Sequence, residues 1–168
     1  LRDNEKYVLS REQINLNEYN RLKSDKNYID VAYNKENGGL KATHIDHSFD
    51  PNKGKYEKEI QKIGFKHGNS VILGAEKGDP KGKRYADGLW NDKRFEVGTS
   101  LGEGKNNVKS ILNHARDKWA KVAIVYFPNE KIYSYERLQN GVKKYNGQTN
   151  YRFEQIIYIV NENIFIYQ

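Results

Sequence analysis

The stretch Arg84-Tyr85-Ala86-Asp87-Gly88-Leu89-Trp90-Asn91-Asp92-Lys93-Arg94-Phe95-Glu96-Val97-Gly98-Thr99 decides the fold. Residues 85–90 and 94–99 are runs of strand type, and Asn91-Asp92-Lys93 between them is a turn former, so the pattern predicts a β-hairpin. Each run carries a carboxylate. Asp87 stands in the middle of a strand pattern, where propensity disfavours it. Glu96 lies between Phe95 and Val97, so its side chain takes the opposite face from theirs. Gly88 lets another backbone or a ligand come close. Two strand-borne carboxylates that converge on one sheet edge are a protein's usual oxygen ligands for Mg²⁺, with Mn²⁺ a substitute. The plainer alternative makes Asp87 the start of an edge strand and Glu96 a solvated residue.

Working outward, Tyr56, Ile60 and Ile63 repeat at helical spacing, and Gly64 reads as the helix stop. Residues 70–75 read as a strand and 78–82 as a turn or loop. After the hairpin, residues 106–119 read as a helix with Val108, Ile111, Leu112, Ala115 and Trp119 on one face. Val122–Phe127 is a continuous apolar run, which suits a strand buried on both sides. Ser134 caps a helix running to about residue 145. Residues 156–160 and 164–167 close the chain as strands around Asn161-Glu162-Asn163. Between residues 55 and 127 the order is therefore helix, three strands, helix, strand. The third strand and the last are parallel neighbours joined by a crossover. The expected class is α/β (α+β mixed), a central mixed sheet flanked by helices. Residues 1–30 read as an N-terminal arm or linker with a short helix over 12–22, and 31–54 as a loop with one short strand at 40–45. Residues 31–168 then form a single domain whose core is 55–127.

Composition narrows the function. The chain has 168 residues, with 29 Lys+Arg against 22 Asp+Glu, a formal charge of +7, and 13 tyrosines. Basic charge with exposed rings suits nucleic acid, where phosphates supply affinity and bases stack. A merely soluble basic surface with tyrosines packed in strands is the alternative. The absence of cysteine excludes disulfides, thiolate zinc sites and a cysteine nucleophile. The absence of methionine suits a mature fragment or the C-terminal part of a longer protein. No apolar run of about 18 residues is present, so no membrane span is expected, and no signal peptide is visible.

Further candidates surround the two acids. Glu57 and Glu59 lie on the preceding helix. The buried stripe favours Glu59, while both also suit the helix dipole as N-terminal acids. Thr43-His44-Ile45-Asp46-His47 offers His44 and His47 as metal ligands or as acid and base for RNA cleavage, or as ordinary surface and packing histidines. His114 borders the apolar face of its helix. Lys81, Lys83, Arg84, Lys93, Arg94, Lys105, Lys109, Arg116 and Lys118 are the basic groups nearby. Lys105 and Lys109 fall on the first turns of a helix, whose N-terminus attracts phosphate. Gly102-Glu103-Gly104-Lys105 lacks P-loop spacing, which rejects an NTPase.

The helix Tyr56-Glu57-Lys58-Glu59-Ile60, Gly64-Phe65, Ala86-Asp87-Gly88, Trp90 and Phe95-Glu96-Val97-Gly98-Thr99 together resemble the core of the PD-(D/E)XK restriction-endonuclease-like superfamily. More narrowly, they resemble nuclease domains at the C-termini of contact-dependent growth inhibition toxins and related phage and mobile-element proteins. The likeness covers roughly residues 55–127. It implies an αβββαβ core and Mg²⁺ or Mn²⁺ held by Asp87 and Glu96. It points to Glu57 rather than Glu59 on the helix, and Thr99 matches a threonine of the pattern. It implies a nuclease toxin cutting RNA, with tRNA a candidate, or DNA. It further implies delivery from a larger secreted protein into a target-cell cytoplasm, and an acidic immunity protein. The family places a lysine two residues after the second acid, where this chain has Gly98. Family members move or replace that lysine, and Lys83, Lys93, Lys105 and Lys109 are candidates to reach in. Phosphate contacts are expected from Lys83, Arg84, Lys93, Lys105 and Lys109. Two other readings remain: a metal-free RNase using His44 or His47, and a non-catalytic nucleic-acid-binding or phage structural module.

Overall fold

The computed structural model describes residues 9–75, 86–102, 104 and 107–168. The expected loop at 78–82 therefore lies outside the described residues, as do Lys81, Lys83, Arg84, Glu103 and Lys105. Among the described residues, eight strands form one sheet in which every strand neighbours the next in sequence. They are β1 Tyr28–Tyr33, β2 Leu40–His44, β3 Ser70–Leu73, β4 Gly88–Trp90, β5 Lys93–Thr99, β6 Val122–Phe127, β7 Gln155–Val160 and β8 Asn163–Ile166. Three pairs are parallel: β2 with β3, β5 with β6, and β6 with β7. Each is bridged by a helix, namely α2 Gly54–Lys66, α3 Asn107–Asp117 and α4 Tyr135–Gln148. Parallel strands need such crossovers, whereas the antiparallel pairs β4–β5 and β7–β8 close through two-residue turns. The mixed α/β fold and the order helix, three strands, helix, strand are as the periodicity predicts.

β6 is buried along its whole length. Its alternate residues feed two cores. Val122, Ile124 and Tyr126 pack with Ile60 and Ile63 of α2, together with Val71, Trp90 and Phe95. Ala123, Val125 and Phe127 pack with Val108 and Leu112 of α3 and Leu138 and Val142 of α4. The β4–β5 hairpin turns on Asn91 and Asp92, with φ of 47° and 69°. Two left-handed residues match the twist of the flanking strands and fix their register.

Several boundaries differ from the sequence reading. Gly64 does not stop α2, which runs on to Lys66. A Cβ on Gly64 would meet Val71 Cγ2 at 2.5 Å and Trp90 Cζ3 at 2.8 Å, so this glycine lets the helix sit close on the sheet. The turn is made instead by Gly68, at φ +84°. Trp119 leaves the apolar face of α3, because the helix ends at Asp117. Residues 31–54 contain half of β1 as well as β2.

The N-terminal segment also departs from an arm. The helix α1, Arg11–Leu22, is capped by Ser10 and Gln13 in a reciprocal box. Leu22 is fully buried and packs with Leu40, Ala42 and Ile72. Asn15 Nδ2 donates to the Gly38 carbonyl at 2.9 Å. The expected boundary after residue 30 falls inside β1. A polar helix with one buried stripe looks like a linker by composition, and only its docking partner reveals the stripe. Leu22→Ala should therefore lower stability by about 2–5 kcal/mol in urea unfolding. An unchanged midpoint would restore the arm.

Candidate active site

Asp87 and Glu96 meet at the open end of the β4–β5 hairpin. The Asp87 N–H donates to Glu96 Oε2 at 3.0 Å, and the Val97 N–H donates to Asp87 Oδ2 at 2.9 Å. Each carboxylate is thus fixed by backbone near the other. Both are buried, Asp87 at 4% and Glu96 at 3% exposure. They line one cavity of about 680 Å³.

Glu57, from the first turn of α2, lines the same cavity. Its Oε2 lies 2.7 Å from His47 Nε2. His47 Nδ1 lies 2.7 Å from the Gly74 carbonyl, which can only accept, so Nδ1 carries a proton. The Nε2–Glu57 contact then needs one shared proton, as imidazolium with carboxylate or imidazole with carboxylic acid. On the far side, Lys118 Nζ stands 2.9 Å from Glu96 Oε1, and His114 Nε2 stands 3.4 Å from the same oxygen. The site is a row: His47, Glu57, Asp87, Glu96, then Lys118 and His114.

The electrostatics follow from burial. Asp87 is raised well above the carboxylate range by desolvation, then by the charges of Glu96 and Glu57. Glu96 is raised to about 7 by desolvation, with Lys118 pulling the other way. A cation among these oxygens would relieve that repulsion, and an all-oxygen donor set suits Mg²⁺. In this sense the residues fit the expected metal, with Asp87 and Glu96 as holders and Glu57 next to them. Among the described residues, no three His, Asp or Glu side chains already stand as a metal-holding group. Two carboxylates with water completing the shell is the arrangement Mg²⁺ commonly takes.

The other expected residues distribute as follows. Thr99 lines the cavity. Glu59 does not join it, because Glu59 Oε2 accepts the Tyr126 hydroxyl at 2.8 Å beside a separate cavity. The stripe of α2 is centred on Ile60 and Gly64, which brings Glu57, one turn before Ile60, to the site. His44 lies outside the cavity, against Tyr28 at 5.1 Å between ring centroids. Lys93 pairs with Glu154 at 2.6 Å, and Arg94 donates to the Lys118 carbonyl at 3.0 Å. Neither lines the cavity, nor does Lys109. The lysines that do, among the described residues, are Lys53 and Lys118.

At position 98 of β5 the structure leaves no room for the lysine that the resemblance would place there. A Cβ there would meet Ile111 Cγ2 at 2.4 Å and Ile111 Cβ at 2.9 Å. α3 is pressed onto the strand at this point, and any side chain would push it away. Lys118 brings an ammonium to Glu96 from the turn that follows that helix. Ile111 and His114 share one face of α3, and Lys118 continues their spacing one residue past its end.

No family model, curated protein or solved structure matches this chain.

Both raised carboxyls bind protons more tightly in the folded chain than in the unfolded one. Between the ordinary carboxylate range and about 7, the folded state therefore holds more protons, and stability falls as pH rises through that window. The Glu96 contribution is on the order of 3 kcal/mol. In metal-free buffer the melting temperature should drop across that window. Asp87→Asn should gain about 1–3 kcal/mol relative to wild type above the window, because it removes a buried charge. A flat pH profile, or an Asn variant that is less stable, would contradict this electrostatic account. Gly98→Lys should lose about 1–3 kcal/mol and gain no activity.

Proposed function

We propose that this chain is a nuclease domain of toxin type that hydrolyses phosphodiester bonds, RNA being the favoured substrate and tRNA one candidate. The observation that carries the reading is the buried Asp87–Glu96 pair with Lys118 at 2.9 Å from Glu96 and Glu57 alongside. Buried acids crowded together with raised affinities for protons are costly to a fold and mark functional sites. The net charge of +7 suits a polyanionic substrate. The preference for RNA and tRNA, and the expectation of an acidic immunity protein, rest on the toxin resemblance alone.

A bound Mg²⁺ or Mn²⁺ would supply Lewis acidity toward a phosphoryl oxygen and acidify a bound water. The chain's own residues do the rest. Lys118 presents an ammonium at the cavity wall, where it can neutralise charge growing on the phosphate. Glu57 accepts a proton at its carboxylate, and His47 behind it holds that carboxylate in place through Nε2. The His47 ring is fixed in turn by the Gly74 carbonyl. His47 is therefore a positioning residue. Its side chain is fully buried and both ring nitrogens are engaged, which argues against its acting directly on a 2′-hydroxyl.

The metal-free RNase keeps one specific support. The side chain of His114 is 58% exposed and stands 3.4 Å from Glu96 Oε1 in the same cavity. That pair could share acid and base duties. Incubation with total RNA, tRNA and plasmid DNA, with Mg²⁺ or with EDTA, separates the readings. The metal-assisted reading expects cleavage with Mg²⁺ and none with EDTA. Asp87→Ala and Glu96→Ala should each reduce the rate by orders of magnitude. Lys118→Met should reduce it about 10²–10³-fold, and Glu59→Gln should leave it nearly unchanged. Full activity in EDTA with loss in His114→Ala would install the metal-free mechanism. No cleavage under any condition would leave a binding module.

A further inference from the structure

The chain has 2 tryptophans. Trp90 is 2% exposed and belongs to the core, whereas Trp119 is 65% exposed. Trp119 also sits in the left-handed region, at φ 57°. That left-handed turn closes α3, with the Ala120 N–H donating to the Ala115 carbonyl at 3.1 Å, and it turns the indole outward past the helix end. The ring is nonetheless framed. Tyr151 packs edge-on against it, at 5.9 Å between centroids and 74° between planes. The Tyr151 hydroxyl donates to the carbonyl of buried Ala120 at 2.6 Å. The Trp119 N–H donates to the Arg116 carbonyl at 2.9 Å.

The surroundings are cationic. Lys93 and Arg94 on β5, Arg116 and Lys121 at either side of Trp119, and Arg152 beside Tyr151 stand against Asp117 and Glu154. The residue before Trp119 is Lys118, whose ammonium reaches Glu96. The Lys118 carbonyl is in turn held by Arg94. An exposed indole on a fixed frame, with basic residues on the same and adjoining elements and one residue from a lysine of the candidate active site, has the chemistry of a base-stacking platform.

We propose that Trp119 and Tyr151 form a subsite that stacks an unpaired nucleobase of a single-stranded nucleic acid, with the surrounding cations on its phosphates. This rests on the nuclease reading and adds to it the substrate class: a strand whose bases are exposed. A duplex hides its base faces and cannot use the indole.

The test is tryptophan fluorescence of the whole chain in EDTA, titrated with a single-stranded oligoadenylate of about ten nucleotides and with a duplex of the same length. The single strand should quench the exposed indole, and the duplex should bind more weakly and quench little. Trp119→Ala should weaken single-strand binding about 5- to 150-fold, the range for loss of one stacked base. Trp119→Phe should keep most of it. Trp119→Gly removes the backbone strain, so its melting temperature should match or exceed that of Trp119→Ala while binding is lost. Equal single-strand affinity in wild type and Trp119→Ala would overturn the proposal, as would equal affinity for the duplex. Failure of the chain to bind either nucleic acid, with saturable binding to a protein instead, would also overturn it. The two readings separate cleanly. Binding lost in Trp119→Ala without any Mg²⁺-dependent cleavage by wild type sinks the nuclease and keeps the subsite. Cleavage with unchanged affinity does the reverse.

Discussion

Two crossed hydrogen bonds at the mouth of one hairpin organise the site. The Asp87 N–H reaches both the Phe95 carbonyl and Glu96 Oε2. The Val97 N–H reaches back to Asp87 Oδ2. Strand register alone puts these groups opposite one another, with Gly88 paired to Phe95. The register in turn follows from the two left-handed residues at the Asn91-Asp92 turn. A slip of one residue would send Glu96 to the other face of the sheet and leave Asp87 alone.

Everything around the pair manages its charge. His114 arrives from α3 and Lys118 from the turn after it, and α3 can lie close to β5 because position 98 has no side chain. Glu57 arrives from α2 with His47 behind it. The balance is incomplete, since desolvation still raises both acids. A protein selected only for stability would fill this place with apolar side chains. The arrangement accepts an unfavourable cluster where the hairpin β4–β5 opens between α2 and α3.

The order of elements from α2 to β6 was legible because each has strong periodicity, and β6 reads as buried on both faces from its composition alone. Asp87 and Glu96 were legible because acids interrupt apolar strands. The helix pattern favours Glu59 over Glu57, yet Glu57 lines the cavity and Glu59 does not, because the stripe's centre depends on how closely Gly64 approaches Trp90. Among the basic residues near the acids, nothing in the sequence singles out Lys118 as the one that meets Glu96. Its reach to Glu96 depends on α3 docking over Gly98, a tertiary fact. The same holds for α1, whose polar sequence hides Leu22 as an anchor, and for Trp119, which a helical wheel assigns to the core until the helix ends before it.

The most direct measurement is Mn²⁺ binding by isothermal titration or electron spin resonance, in wild type and in Glu96→Gln, across the pH range around 7. The account predicts one site in wild type whose affinity rises as pH increases through that range, with protons released on binding. It predicts that Glu96→Gln loses that site while remaining folded. A wild-type chain that binds no Mn²⁺, or binds it equally well without Glu96, would contradict the claim that the buried acid pair exists to hold a cation.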